Sequence, residues 1–210
     1  HRVDRRQRQM CIRDRCELMH NLIDVIMENQ DYIMQVVMDE TGKPIQEAMS
    51  MEIYSAIDSL AFYAKRAPKW LKDESRSMHG PMQFLKKTKV AFKPRGVIGV
   101  ITPWNGPFIL SINPAIQAVL AGNSVIIKPS EVTPKSGMLV EEMFKKADAP
   151  DNLVQVLIGD GQVGADLIDL KPDKVSFTGS IKTGKLIAKQ CGESLICLLY
   201  TSPSPRDVEE

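Results

Sequence analysis

From Val97 onward the chain repeats one texture four times: a short apolar run, a turn rich in Gly, Pro or charge, then a stretch of helical spacing. The runs Val97–Ile101, Ser124–Ile127, Leu153–Ile158 and Lys174–Phe177 read as strands. The stretches Ile112–Leu120, Pro134–Ala147, Val163–Leu170 and Lys182–Lys189 read as the helices between and after them. Strands that are apolar on both sides must be covered on both sides, so helices alternating with them imply a parallel sheet between two helical layers. Right-handed crossovers make that an α/β fold with a doubly wound parallel sheet, of the Rossmann-like kind. Ligands of such sheets sit outside the carboxyl ends of the strands, which directs attention to the residues after each run.

The first ninety residues have a different character. Leu18, Leu22, Ile23, Ile26, Ile33, Val36 and Val37 recur at helical spacing, predicting one amphipathic helix over 17–38 in which the methionines fill core. Glu40-Thr41-Gly42-Lys43-Pro44 then reads as a stop followed by a start, with Gly after one helix and Pro opening the next. The second helix runs to about Ala67 with Ile53, Ile57, Leu60, Ala61 and Ala64 on one face. Gln83–Leu85 and Lys89–Phe92 alternate like exposed strands and predict a β-ribbon or edge.

Composition restricts the function classes. Hydrophobic residues at 43% and charged residues at 25% of 210 are ordinary globular values, which exclude a disordered or collagenous chain. No apolar run approaches the ~18–20 residues that span a bilayer, so no membrane partner is expected. Six arginines against two aspartates give residues 1–16 a charge of +4, and the remaining 21 bases and 24 acids make the rest −3. A basic arm suggests nucleic acid or targeting, but this one has neither an apolar h-region nor a Ser-rich, acid-poor composition. It is read as disordered or foreign, with no nucleic-acid partner. Cys11, Cys16, Cys191 and Cys197 have no zinc-type spacing and no histidines nearby, so thiols are expected to be reduced, metal absent and the chain cytoplasmic.

Each strand is followed by small, polar or charged residues. They are Thr102-Pro103-Trp104-Asn105-Gly106-Pro107, then Lys128-Pro129-Ser130-Glu131, then Gly159-Asp160-Gly161 with Gly164 behind, then Thr178-Gly179-Ser180 with Gly184 in the next helix. Taken singly these are turn punctuation or a solvated ion pair; at corresponding places in one sheet they read as a site lined by backbone amides. The fourth turn puts free N–H groups and a helix N-terminus where an anion can sit. Two phosphate chemistries fit. Gly179–Lys185 matches the P-loop G-x-x-x-x-G-K, but Leu186 stands where the Mg²⁺-holding Ser or Thr is needed, which argues against a nucleotide hydrolase. The other is dinucleotide binding without G-x-G-x-x-G, with Glu131 accepting from ribose hydroxyls and Lys128 reaching the same ribose. A carboxylate there repels a 2′-phosphate, which favours NAD over NADP.

These residues resemble the aldehyde dehydrogenase superfamily. The resemblance rests on Thr102-Pro103-Trp104-Asn105, on Gly122-Asn123 leading into Lys128-Pro129-Ser130-Glu131-Val132-Thr133-Pro134, and on Phe177-Thr178-Gly179-Ser180. Glu40-Thr41-Gly42-Lys43-Pro44 is similar too, and the likeness covers about 17–194. It implies an NAD(P)-binding domain, a catalytic domain and an oligomerisation ribbon, in an enzyme that oxidises an aldehyde through a cysteine thiohemiacetal and hydride transfer. Carried over, Asn105 is the oxyanion-hole side chain; Ile101, Thr102, Pro103 and Trp104 line the cofactor cleft; Lys128, Ser130 and Glu131 hold the adenosine ribose. Phe177, Thr178, Gly179, Ser180 and Gly184 form the pyrophosphate turn, and Gly159 and Gly164 pack under the adenine. Residues 82–93 become part of the oligomerisation ribbon, with a homodimer or homotetramer expected for the whole enzyme and a small-molecule aldehyde as its substrate.

The likeness stops near Leu195. The family continues into a strand ending Glu-Leu-Gly-Gly, whose Glu is the general base, and later into a Gly-Gln-x-Cys loop carrying the nucleophile. Here Ile196–Asp207 replaces the strand, and neither Cys191 nor Cys197 has the nucleophile's setting. Met10–Arg15 and Cys197–Asp207 resemble translated adaptor sequence at the edges of assembled gene fragments. The expectation is therefore a truncated chain: 1–16 a non-native or disordered arm, 17–194 an incomplete NAD-binding domain, 195–210 a divergent, non-native tail. Such a chain holds cofactor without turnover, either as a piece of the enzyme or as an orphan dinucleotide-binding module.

Overall fold

The structure, a computed structural model, describes residues 10–77, 79–81 and 86–202. It opens with helices α1 (Ile12–Glu28) and α2 (Gln30–Thr41) where the sequence predicts one. The break is at Asn29, whose backbone N–H and side-chain amide both donate to the Val25 carbonyl and so end α1. The start lies earlier than expected as well. Asp14 accepts the Cys11 N–H at 3.0 Å, and Arg15 reaches across to the Leu120 carbonyl, so residues 12–16 belong to the folded helix. Gly42 ends α2 in the left-handed conformation (φ 70°) that a residue without Cβ adopts at no cost.

A second helical passage begins as α3 (Ile45–Glu47), widens into a π-helical stretch over Ala48–Tyr54, and continues as α4 (Ser55–Trp70). Strands β1 (Glu74–Arg76) and β2 (Thr88–Val90) then pair antiparallel with every residue exposed. Of the predicted ribbon, 89–90 fall in β2, the partner strand β1 was not anticipated, and 82–85 lie outside the described residues.

The βα repeats follow the predicted order, with β3 as predicted and other ends shifted by up to four residues, the largest shift at the end of α8. They are β3 (Val97–Ile101), α5 (Ile109–Leu120), β4 (Ser124–Lys128), α6 (Pro134–Lys146), β5 (Val154–Val156), α7 (Gly161–Asp169), β6 (Lys174–Thr178) and α8 (Ile181–Glu193). A fifth strand, β7 (Cys197–Thr201), forms from the segment expected to be a divergent tail. All five run parallel in the order β5-β4-β3-β6-β7, so the chain winds outward from β3 in one direction and returns to wind outward from β6 in the other.

Two cores follow from this winding. Helices α1, α2, α4, α5 and α6 close over one face, with Leu22, Ile26, Ile53, Leu60, Phe108, Ile116, Ile127 and Phe144 among the fully buried side chains. Helices α7 and α8 cover the other with Leu167, Ile168, Val175, Phe177, Ile187 and Cys191. The doubly wound reading therefore holds.

Helix α6 sits tightly on the turn that leaves β4: a Cβ added at Gly137 would lie 2.3 Å from the Pro129 ring. Neither the ring nor the buried helix can yield cheaply. Gly137→Ala is expected to lower stability by about 1–3 kcal/mol, as overpacking does, measured as a fall in the urea midpoint with unchanged m-value.

Candidate functional site

Strand register decides what meets at the carboxyl edge. Ile101 pairs with Lys128 on one side and with Phe177 on the other, and Phe177 pairs with Tyr200. Adjacent strands lie about 4.8 Å apart, so the turns after β3, β4 and β6 leave the sheet at one level. The winding reverses between β3 and β6, and in open sheets of this kind ligands sit at such a reversal, here beside Ile101 and Phe177.

The turn after β3 is fixed at both ends. Thr102 is buried, donates its N–H to the Lys128 carbonyl at 3.2 Å and shares a hydrogen bond with the Ser111 hydroxyl at 2.9 Å. At the far end the Glu52 carboxylate accepts the Phe108 and Ile109 N–H groups at 3.1 and 2.9 Å. Between these anchors Trp104 is 56% exposed, and Asn105 is exposed with no side-chain hydrogen bond among the described residues. A buried anchor thus holds an exposed loop that carries a free amide and an indole at the carboxyl edge.

The turn after β4 carries the charge. Lys128 is almost fully buried, yet its ammonium reaches the edge and donates to Glu131 Oε2 at 3.1 Å, while Glu131 is 58% exposed. The Ser130 hydroxyl accepts the Val132 N–H at 3.2 Å and shapes the turn. Helix α6, which follows, is held from a distance: Glu40 accepts the Lys135 and Ser136 N–H groups and the Ser136 hydroxyl at 2.6–2.9 Å. The Glu131 carboxyl is held below the usual carboxylate range, first by its own backbone N–H and then by Lys128, with Asp160 opposing.

After β5, Asp160 caps α7 by accepting the Gln162 N–H at 3.0 Å. Gly164, buried in the first turns of α7, faces Ile101 and Lys128, with a hypothetical Cβ 3.9 and 4.0 Å from their side chains. Gly159 packs on Val163 instead.

The turn after β6 is more occupied than expected. The Ser180 hydroxyl caps α8 by accepting the Thr183 N–H at 3.3 Å, and the Gly179 N–H donates to the Thr201 carbonyl at 3.3 Å. The N–H groups of Ile181 and Lys182 have no partner among the described residues. Gly184 and Lys185 lie inside α8 rather than in a loop, so the stretch does not wrap a phosphate as a P-loop does. Gly184 packs against the Tyr200 ring, which stacks on Phe177 at 5.5 Å between centroids, and Thr178 shares a hydrogen bond with Thr201 at 3.0 Å.

The structure thus brings together Ile101, Thr102, Lys128, Glu131 and Gly164, and places Pro103, Trp104, Asn105, Phe177, Thr178, Gly179 and Ser180 on neighbouring turns at the same edge. Sequence reasoning missed the acids that brace these turns, Glu40 and Glu52. Glu40 lies in the motif Glu40–Pro44, but its partners are 95 and 96 residues away and leave no local signal. A separate cavity of about 640 Å³ opens at the other end of the sheet, lined by Arg15, Pro94, Pro114, Gln117, Lys174 and Leu199. No helix among the described residues is long and apolar enough to cross a membrane.

Residues 2–200 match the model of the Aldehyde dehydrogenase family. The chain is 42% identical over 184 residues to the 4,4'-diapolycopene aldehyde oxidase of a Methylomonas species, an alignment covering 87% of this chain and 34% of that protein. It is 37% identical over 185 residues to the putative succinate-semialdehyde dehydrogenase [NADP(+)] of Mycolicibacterium smegmatis, covering 88% and 35%. Its fold matches the NAD+ complex of an aldehyde dehydrogenase from Bacillus cereus with TM-score 0.86 and 29% identity, over 93% of this chain and 39% of that one. The chain therefore spans about a third of the length of its curated relatives.

The carboxylate–lysine pair sets a pH signature. A carboxyl lowered in the folded state adds stability that is fully present above its ordinary value of 4.5 and is lost as pH falls through the lower folded value. Exposure makes that contribution small, so the titration itself is the measurement. By NMR, Glu131 should titrate below 4.5, and Lys128→Met should move its midpoint upward.

Proposed function

The chain belongs to the aldehyde dehydrogenase family, and from that membership and the geometry of its edge we propose that it is the NAD-binding part of an enzyme oxidising an aldehyde to a carboxylic acid. The observation that carries this is the row formed by Ile101, Lys128 and Phe177, which sets an amide-bearing loop and a cation–carboxylate pair on one side of the winding reversal and the turn that opens α8 on the other.

The donor set fits a dinucleotide. Lys128 supplies N–H donors and Glu131 an acceptor within one ion pair, the combination that grips the vicinal hydroxyls of a ribose. Ser130 shapes that turn, Gly164 leaves room above Ile101 and Lys128, and Gly159 packs behind it under the adenine. The free N–H groups at the start of α8, with Gly179, Ser180 and Gly184, take the pyrophosphate, while Phe177 and Thr178 support that turn from β6. Pro103 and Trp104 line the nicotinamide end, and the Asn105 amide is the oxyanion donor, a role worth about 2.7–4 kcal/mol in acyl chemistry. When bound, NAD supplies the hydride acceptor.

NAD is proposed over NADP because the charge facing outward is negative. Lys128 is buried and already paired, whereas the Glu131 carboxylate is exposed and kept ionised. A 2′-phosphate brought beside it meets like charge. The nucleophilic cysteine and the general-base glutamate are proposed to lie outside these residues, so the chain holds cofactor but does not turn over. Residues 17–194 form the domain that does this. The segments 1–16 and 195–210 are proposed to be foreign in origin, although Ile12–Cys16 and Cys197–Thr201 are accommodated in the fold. The ribbon around β1 and β2 is proposed to serve assembly into a homodimer or homotetramer in the whole enzyme, which is assigned to the cytoplasm, with neither nucleic acid nor membrane as partner.

The purified chain is expected to bind NADH, read as quenching of tryptophan fluorescence with sensitised emission from the nicotinamide, and to bind NADPH more weakly. Lys128→Met should weaken NADH binding about tenfold, the loss of roughly one charge-assisted hydrogen bond. No NADH should form when NAD and an aldehyde are added; aldehyde-dependent NADH formation would overturn the assignment of the catalytic groups elsewhere.

A further inference from the structure

We propose that Glu52 is a positioning residue, holding the loop that carries Trp104 and Asn105 in its working place. The inference rests on the reading of that loop as the nicotinamide and oxyanion side of the site.

Four observations carry it. Glu52 is fully buried, although an isolated carboxylate in such a place is costly and is retained only when it is paired and hydrogen-bonded. Its partners are complete: Lys43 bonds Oε1, and the Phe108 and Ile109 N–H groups bond Oε2 at 3.1 and 2.9 Å. Those two amides open α5 immediately after Gly106-Pro107, so the carboxylate fixes the end of the loop that Thr102 does not. Finally, Glu52 projects from the π-helical stretch Ala48–Tyr54, a local widening that often marks functional sites and here aims a carboxylate at another helix's first turn.

The physical content is specific. The first turn of α5 has orphan donors and the positive end of the helix dipole, and a full negative charge satisfies both better than a neutral acceptor. Removing the charge while keeping the shape should free the loop without dismantling the core. Loss of position there changes where Trp104 and Asn105 stand, while the ribose end at Lys128 and Glu131 is untouched.

Glu52→Gln separates these effects. In a Trp70→Phe background Trp104 is the single tryptophan of the chain. Exchange of the Phe108 and Ile109 amides should quicken about fivefold, and acrylamide should quench Trp104 about twice as efficiently. With NADH, energy transfer from Trp104 at saturation should fall while Kd changes less than about threefold. Glu40→Gln serves as the comparison, because it removes the same charge from the cap of α6 and should leave Trp104 quenching unchanged. If Glu52→Gln does not fold, Lys43→Gln, which leaves the carboxylate and removes its cation, should shift the same readouts in the same direction. Unchanged Trp104 quenching in the folded variant, or an equal change with Glu40→Gln, overturns the proposal. Absence of NADH binding to the parent chain would instead overturn the reading of the site, with exchange and quenching still deciding whether Glu52 holds the loop.

Discussion

A parallel sheet wound with helices gathers the N-terminus of every following helix at the edge where its ligand must bind, and each of those ends brings backbone N–H groups that no helical carbonyl accepts. How this chain satisfies them governs the shape of its site. Glu52 takes two at α5, Glu40 two at α6, Asp160 one at α7 and Ser180 one at α8. Caps of this kind are worth about 0.5–2 kcal/mol each. The two strongest are lent by the helical passage that precedes the sheet, from either side of the Thr41–Pro44 turn. Those opening helices are thus braces for two site turns as well as a cover for one face of the sheet. Helices α7 and α8, each capped at one amide by a residue of its own turn, keep N–H groups that no side chain among the described residues accepts.

The edge is also electrically arranged. Among the described residues Lys128 is the one buried cation of the strand ends, and its cost is met by an exposed carboxylate rather than a buried one. Such a pair adds little to stability, and its use is local: the ammonium stays fixed because its stem is packed, and the carboxylate is held below its usual range first by its own backbone N–H and then by the ammonium. Two opposite charges with free hydrogen-bonding capacity, held at the level of Ile101, suit a neutral polyhydroxyl group better than a second phosphate.

Much of the sheet was legible in the sequence, because strands buried on both faces need continuous apolar runs and the turns between them need Gly, Pro and polar residues. The residues after each strand were legible for the same reason. What escaped was long-range. Asn29 looks like an ordinary polar position within a helical pattern, and only its side-chain bond to Val25 reveals the break. Glu52 has helical spacing from its neighbours and gives no hint that its carboxylate serves residues 56 and 57 positions later. The capping of α8 by Ser180 leaves no trace in the sequence, because hydroxyl orientation is invisible there. Strand β1 is short, polar and wholly exposed, so it lacks the apolar alternation by which strands are recognised.

Strand β7 shows why a fold and its chemistry part company. Pairing with β6 uses backbone groups, so any short segment of β-forming residues can dock there, and Cys197–Thr201 supplies two leucines, a tyrosine and a threonine. Leu198 adds to the core under α8, and the Tyr200 ring covers Phe177 and Gly184. The sheet gains a fifth strand at the position topology demands. Acid–base work is less permissive, since it needs a group that exchanges a proton at one defined atom. No residue of Cys197–Thr201 carries a carboxylate. The segment therefore completes the architecture beside the turn after β6 with a thiol and a phenol as its proton-exchanging side chains.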